Sequence, residues 1–239
     1  MIDGMVKVEG VDFVSEVQAS LLRFHLQSPS EEDQLNHFRA MFLGFAYISE
    51  FQVPGAVEHL KRVSAYTAYM AEHVLDWSEL EAKRLGVASI LHDIGKIAIP
   101  ISLLQKNGPL TKDERIKMQD HSTIGHDIIT HMEKHALASL VSFDKKLFAF
   151  SKQIALHHHE NFNGTGYPFG LVGDSIPIAA RVVKITDVTD ALLSRRAYKE
   201  PWSWFQTRKE MEALQNEEFD SYLLRRLLEH EEALVKMAF

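Results

Sequence analysis

The stretch SELEAKRLGVASILHDIGK, Ser78 to Lys96, decides how this chain is read. Ser78 and Glu81 stand in the S-x-x-E order of a capping box, where hydroxyl and carboxylate satisfy each other's orphan amides at a helix start. A helix is therefore predicted to open after Ser78 and to close near Gly95, a residue suited to a helix end. His92 and Asp93 then lie at its inner end. A buried carboxylate without a partner costs several kcal/mol, so an inward Asp needs a cation or strong donors.

The neighbouring segments repeat that demand. Upstream, His59 opens a stripe continued by Val63, Tyr66, Thr67, Met70 and Val74, with the spacing of one helix face. Downstream, Thr111 and Glu114 form a second capping-box pattern. The helix after it carries His121, Ile124, Gly125, Ile128 and Met132 on one side. The next stripe, Leu147, Phe150, Ser151 and Ile154, ends on His158. Asp187 shares a face with Val183 and Ala191 in a helix predicted over 178–193. One inward histidine is ordinarily a core residue with a satisfied hydrogen bond. Four helices that each turn a histidine inward, together with two carboxylates, point to a shared metal site, although periodicity does not show that the stripes converge. The donors are all N and O, which suits Fe, Mn, Zn or Ni and does not choose among them.

Composition narrows the rest. The 239 residues are 46% hydrophobic, enough for one large domain. No apolar run reaches the roughly 18 residues of a membrane span. Met1-Ile2-Asp3-Gly4 lacks the basic-then-apolar order of a secretory signal, so the expected location is cytoplasmic. There is no cysteine, which removes disulfides, thiol nucleophiles and thiolate metal sites, and there are 13 histidines. A net charge of −7 disfavours a nucleic-acid polymer as partner and leaves small anions to local basic clusters.

The chain reads as mostly helical. A helix is expected over about 12–26. A second is expected from Glu31 to about Ser49, with Ser30 as its N-cap. Pro54-Gly55 breaks the chain after these two. Glu160 to Pro177 is a glycine- and proline-bearing loop, long enough to be functional. The tail from Pro201 reads as two amphipathic helices.

Several motifs in order make a family resemblance specific. His92-Asp93-Ile94-Gly95-Lys96 resembles the HD signature of metal-dependent phosphohydrolases. His158-His159-Glu160 followed by Asn163-Gly164-Thr165-Gly166-Tyr167-Pro168 resembles the HHE and GYP motifs of the HD-GYP family. Ile176-Pro177, Ala180-Arg181-Val182-Val183, Asp187-Val188-Thr189-Asp190 and Arg196-Ala197-Tyr198-Lys199 continue the pattern, which covers roughly 55–225. The resemblance implies an all-α fold, an HD-superfamily helical bundle over 53–239 with a short N-terminal helical extension over 1–52. It implies a phosphodiesterase cleaving cyclic di-GMP, mainly to the linear dinucleotide. A related enzyme acting on cyclic GMP-AMP or another nucleotide, and an inactive signalling module, are the alternatives.

Carried over by position, the metal ligands are His59, His92, Asp93, His121, His158, His159 and Asp187, with Asp93 bridging. Asp93 and Lys96 are the expected catalytic residues. Arg196, Lys199, Tyr167 and Arg181 are the expected substrate contacts. Read without the family, Arg195-Arg196 is an ordinary solvated helix end. The cofactor expected is two divalent metal ions, Fe or Mn first, with Zn, Ni or Mg as alternatives. Two such ions can neutralise a phosphodiester and activate water between them. Some relatives place a Glu four residues before the first ligand His to hold a third ion. Here that position is Gly55, and only Glu50 or Glu58 could fold back in its place. Glu160 is expected to orient a ligand histidine. The partners expected are the cyclic dinucleotide, no nucleic acid polymer and no membrane. A homodimer through the N-terminal helices and signalling proteins are further partner readings.

Overall fold

The computed structural model describes residues 30–50, 55–139, 144–194, 201–215 and 217–238. The helix expected over 12–26, and Arg196 and Lys199, lie outside the described residues. Among the described residues the fold is all helical, with two isolated bridges and no strand. The helices are α1 Glu31–Glu50, α2 Ala56–His73, α3 Glu79–Ser89, α4 Ile101–Leu104, α5 Lys112–Ser139 and α6 Lys145–His157, then α7 Ile178–Leu193, α8 Trp204–Ala213, α9 Ser221–Leu228 and α10 Glu231–Ala238. Short 3-10 turns occupy Ile94–Ala98 and Gly173–Ser175.

Helix starts follow local hydrogen bonding. The Ser30 hydroxyl accepts the Asp33 amide at 3.1 Å and starts α1. Ser78 accepts from Glu81 at the start of α3. At α5 the Thr111 hydroxyl accepts the Glu114 amide at 3.3 Å, and the Glu114 carboxylate accepts the Thr111 amide at 2.7 Å. Ser203 and Gln206 close a reciprocal box at α8, and Asp220 caps α9. Each such cap contributes about 1 kcal/mol.

Two expectations about helix ends are corrected. α3 stops at Ser89 rather than near Gly95, because the amides of Ile90, Leu91 and His92 tighten onto carbonyls three residues back, at 3.1–3.4 Å. His92 and Asp93 thus occupy a compact turn ahead of the Ile94–Ala98 3-10 segment. Among the described residues the tail holds three helices, not two, since Glu229-His230 separates α9 from α10.

α2 is central and packs on α1, α3, α7 and α10, while α5 and α6 pair and α6 reaches α3 and α7. Phe38 and Phe42 of α1 meet Phe148 of α6 edge-on at 5.8 Å between centroids. Phe42 is fully buried, a contribution of about 1.5–3 kcal/mol for a side chain of this kind. α1 therefore belongs to the core. The 3-10 turn at Ile94–Ala98 lies between α1 and α5. Gly95 permits that approach: a Cβ there would overlap the His121 carbonyl and stand 2.6 Å from the Gly125 amide nitrogen. No helix among the described residues is long and apolar enough to cross a membrane.

Candidate metal centre

Five segments bring the expected ligands together. α2 supplies His59, the turn after α3 supplies His92 and Asp93, α5 supplies His121, the end of α6 supplies His158 and His159, and α7 supplies Asp187. They fall into two groups, each with its donor atoms within 4.8 Å of one another: Asp93, His121, His158 and His159, and His59, His92 and Asp187. Asp93 stands between them. Its Oδ1 lies 3.3 Å from His121 Nε2 and 3.8 Å from His158 Nε2, while its Oδ2 lies 3.3 Å from His92 Nε2. On the other side, His59 Nε2 is 3.5 Å from Asp187 Oδ1.

The imidazoles are oriented by their second nitrogens. His92 Nδ1 donates to the Ser89 carbonyl at 2.9 Å, His121 Nδ1 to Met118 at 2.6 Å and His158 Nδ1 to Ile154 at 2.9 Å. A carbonyl can only accept, so each Nδ1 carries a proton and each Nε2 is the ring nitrogen turned inward, as a lone pair on the neutral His121 and His158. His92 Nε2, His158 Nε2 and Asp93 Oδ1 are buried and have no hydrogen-bond partner. Buried lone pairs without donors are costly, and this inward-facing N/O set fits divalent cations. Burial pushes the His158 pKa down to about 3 and holds His121 and His159 below the ordinary histidine value. These three are neutral donors at pH 7. Burial opposes charge on His92 as well, but the Asp93 carboxylate outweighs it and pushes the pKa up to about 9 in the metal-free chain. A cation binding here would displace that proton.

A residue without an assigned role in the sequence completes the centre. Asp190, 1% exposed, accepts from His59 Nδ1 at 2.7 Å, from Arg62 Nε at 2.6 Å and from the Ser194 hydroxyl at 3.0 Å. It holds the His59 proton on Nδ1 and leaves Nε2 for the centre, the usual service of a carboxylate behind a metal-ligating histidine. Its traces in the sequence are its place in the Asp187-Val188-Thr189-Asp190 motif and its position one helical turn after Asp187.

Lys96 pairs with Asp93 Oδ2, and its Nζ is 3.9 Å from Glu50 Oε2. Glu50 closes α1, is buried, and keeps Oε1 without a partner. Burial raises its pKa, with Lys96 opposing. Gly55 takes the left-handed conformation (φ 81°) just before α2 and has no side chain to offer the centre.

The 160–177 loop is tied down by its own carboxylate. Glu160 accepts the Phe169 amide at 2.8 Å and the Leu171 amide at 3.0 Å. This corrects its expected role: Glu160 organises the loop and does not orient a ligand histidine. Gly166 lets the loop return against itself, since a Cβ there would stand 2.5 Å from the His159 carbonyl. Tyr167 stacks on His159 with 4.6 Å between ring centroids, and burial raises its pKa, so the hydroxyl stays protonated. Arg181 is not brought to the cluster as a free cation. Its Nη1 donates to Asp174 at 2.6 Å and to Asp220 at 2.7 Å, bracing the end of the loop against the start of α9.

Comparison with known proteins agrees with this architecture. The HD domain family matches residues 46–223, a span that starts inside α1. A 3′3′-cGAMP-specific phosphodiesterase of Vibrio cholerae is 40% identical over 72% of this chain and 31% of its own length. A cyclic di-GMP phosphodiesterase response regulator of Xanthomonas campestris is 42% identical over 64% of this chain and 38% of its own. The chain spans about a third of the length of these curated relatives. Among solved structures, an HDG"Y"P protein from Bdellovibrio bacteriovorus superposes with a TM-score of 0.57 at 18% identity, covering 84% of this chain and 64% of that one. With a family match over most of its length and an all-helical fold, the chain belongs to the HD domain family.

Proposed function

We propose that this chain is a metal-dependent phosphodiesterase that hydrolyses a 3′,5′-cyclic dinucleotide, cyclic di-GMP first, mainly to the linear dinucleotide pGpG. The observation that carries the reading is Asp93, whose two oxygens face two separate groups of histidine and carboxylate donors. His59, His92 and Asp187 would hold one divalent ion, His121, His158 and His159 a second, and Asp93 would touch both. Fe or Mn is the first choice for this N/O set. Such ions supply Lewis acidity to the phosphoryl oxygens and acidify the attacking water.

The protein's own side chains do the rest. Lys96, held by Asp93, places a positive charge beside the site where phosphoryl charge accumulates. The protonated Tyr167 hydroxyl is available as a donor. Arg196 and Lys199 are assigned to the substrate phosphates, which gives an acidic chain a local basic cluster. Gly55, at the position of the relatives' extra Glu, has no side chain to hold a third ion, so the reading is two ions and a reaction that slows after the first cut.

Cyclic GMP-AMP is the second reading, favoured by relatives named as specific for it at 40% and 29% identity. The experiment is metal analysis of the purified chain, then incubation with cyclic di-GMP and with 3′3′-cGAMP, followed by chromatography. Linear dinucleotide accumulating before mononucleotide is the expected result. Metal-loaded protein that cleaves neither substrate overturns the proposal, and immediate stoichiometric GMP overturns its binuclear, single-cut form.

A further inference from the structure

The helix that supplies His121 also opens a cavity beside the metal centre. This space of about 320 Å³ is lined by Pro109, Leu110, Arg115, Met118, Gln119 and Tyr167. Two of these residues are in direct contact with ligand histidines. The Met118 carbonyl accepts from His121, and the Tyr167 ring stacks on His159. The cavity is therefore one residue layer from the cluster. Its volume is at the small end of the ~300–1,000 Å³ of ligand pockets, room for one arm of a dinucleotide and not for the whole molecule.

Its walls are chemically uneven. Pro109, Leu110, Met118 and the Tyr167 ring are apolar surfaces. Arg115 and Gln119 are one turn apart on the same face of α5 and supply the polar edge. Among the described residues no carboxylate pairs with Arg115, whereas Arg62, Arg84, Arg181 and Arg208 each have one. An exposed arginine lining a mostly apolar slot suits a flat aromatic ring whose edge carries acceptors. It suits a bare phosphate poorly, since nothing else there is cationic. Guanine presents O6 and N7 together, the pair that an arginine fork binds bidentately.

We propose that this cavity is a purine subsite. It takes one base of the cyclic dinucleotide against Tyr167 and Met118, with Arg115 reading the guanine edge and Gln119 beside it, while the scissile phosphodiester lies over the ligand cluster. The inference rests on the cyclic dinucleotide reading above and names the residues that would set base preference within it.

The test compares wild type with Arg115→Ala, Arg115→Lys and Gln119→Ala. The substrates are cyclic di-GMP, cyclic di-AMP and bis(p-nitrophenyl) phosphate, a diester with no base, and metal content is measured in each variant. In Arg115→Ala the ratio of kcat/KM for cyclic di-GMP to that for the base-free diester should fall about ten-fold or more, mainly through KM. Preference for cyclic di-GMP over cyclic di-AMP should shrink with it. Gln119→Ala should lower the same ratio by a smaller factor. Arg115→Lys should not restore the ratio, because an ammonium lacks the fork. An unchanged ratio in Arg115→Ala, an equal loss on both kinds of substrate, or full rescue by lysine overturns the subsite. Wild type that cleaves the base-free diester but no cyclic dinucleotide overturns the underlying functional reading instead, so the two failures are distinguishable.

Discussion

Replacing Asp190 with asparagine swaps one carboxylate oxygen for an NH2 group and should loosen the candidate metal centre from behind. The carboxylate accepts four hydrogen bonds, from His59 at 2.7 Å, from Arg62 at 2.6 and 3.2 Å and from Ser194 at 3.0 Å. Asparagine keeps one acceptor oxygen and turns an NH2 group towards donors. Hydrogen bonds to charged groups are worth about 1.5–3 kcal/mol each. Arg62 is partly exposed and can rehydrate, so the net loss expected is about 2–3 kcal/mol. For a chain of this size that is a fall in Tm of roughly 5–10 °C. The functional effect is separate. Without a carboxylate behind it, His59 is no longer held with its proton on Nδ1, and loss of such a partner typically costs about 10–100-fold in metal affinity. Chelator competition on Asp190→Asn reads that affinity, and thermal unfolding of the metal-free protein reads the stability. Arg62→Met is the companion, since it removes an ion pair but leaves Asp190 on His59. It should lower stability while holding metal affinity within a few-fold. Wild-type metal affinity in Asp190→Asn, or equal affinity losses in the two variants, would refute the reasoning.

Three further outcomes follow from the same geometry. Asp93→Ala removes the carboxylate shared by both ligand groups, so metal content by elemental analysis and turnover should both be lost. Lys96→Ala should keep the metal but lower kcat by about 10²–10³-fold, the scale of losing one preorganised electrostatic group, and steady-state kinetics at saturating metal checks it. Gly95→Ala forces a methyl into the His121 backbone and should destabilise by about 1–3 kcal/mol or more, read as a lower denaturation midpoint together with a reduced metal content.

Much of this protein is determined by the order of its residues alone. Helix starts depend on bonds between residues three apart, which is why Ser30, Ser78-Glu81 and Thr111-Glu114 mark the beginnings of α1, α3 and α5. Helical period likewise sets which face His59, His121 and His158 occupy, and the HD and HHE motifs name the candidate ligand types. What period cannot set is the partner across the chain. Asp190 finds His59 from 131 positions away, and Glu50 reaches Lys96 from the end of α1. Arg181 reads as a substrate contact in sequence but pairs with Asp174 and Asp220 in space. Gly95 is required because two backbones touch there, and a one-dimensional reading takes the same glycine for a helix cap. Local hydrogen bonding and periodicity decide elements and faces. Only the packing of those faces decides which lone pairs are left without donors, and that shortage of donors is what marks the metal centre.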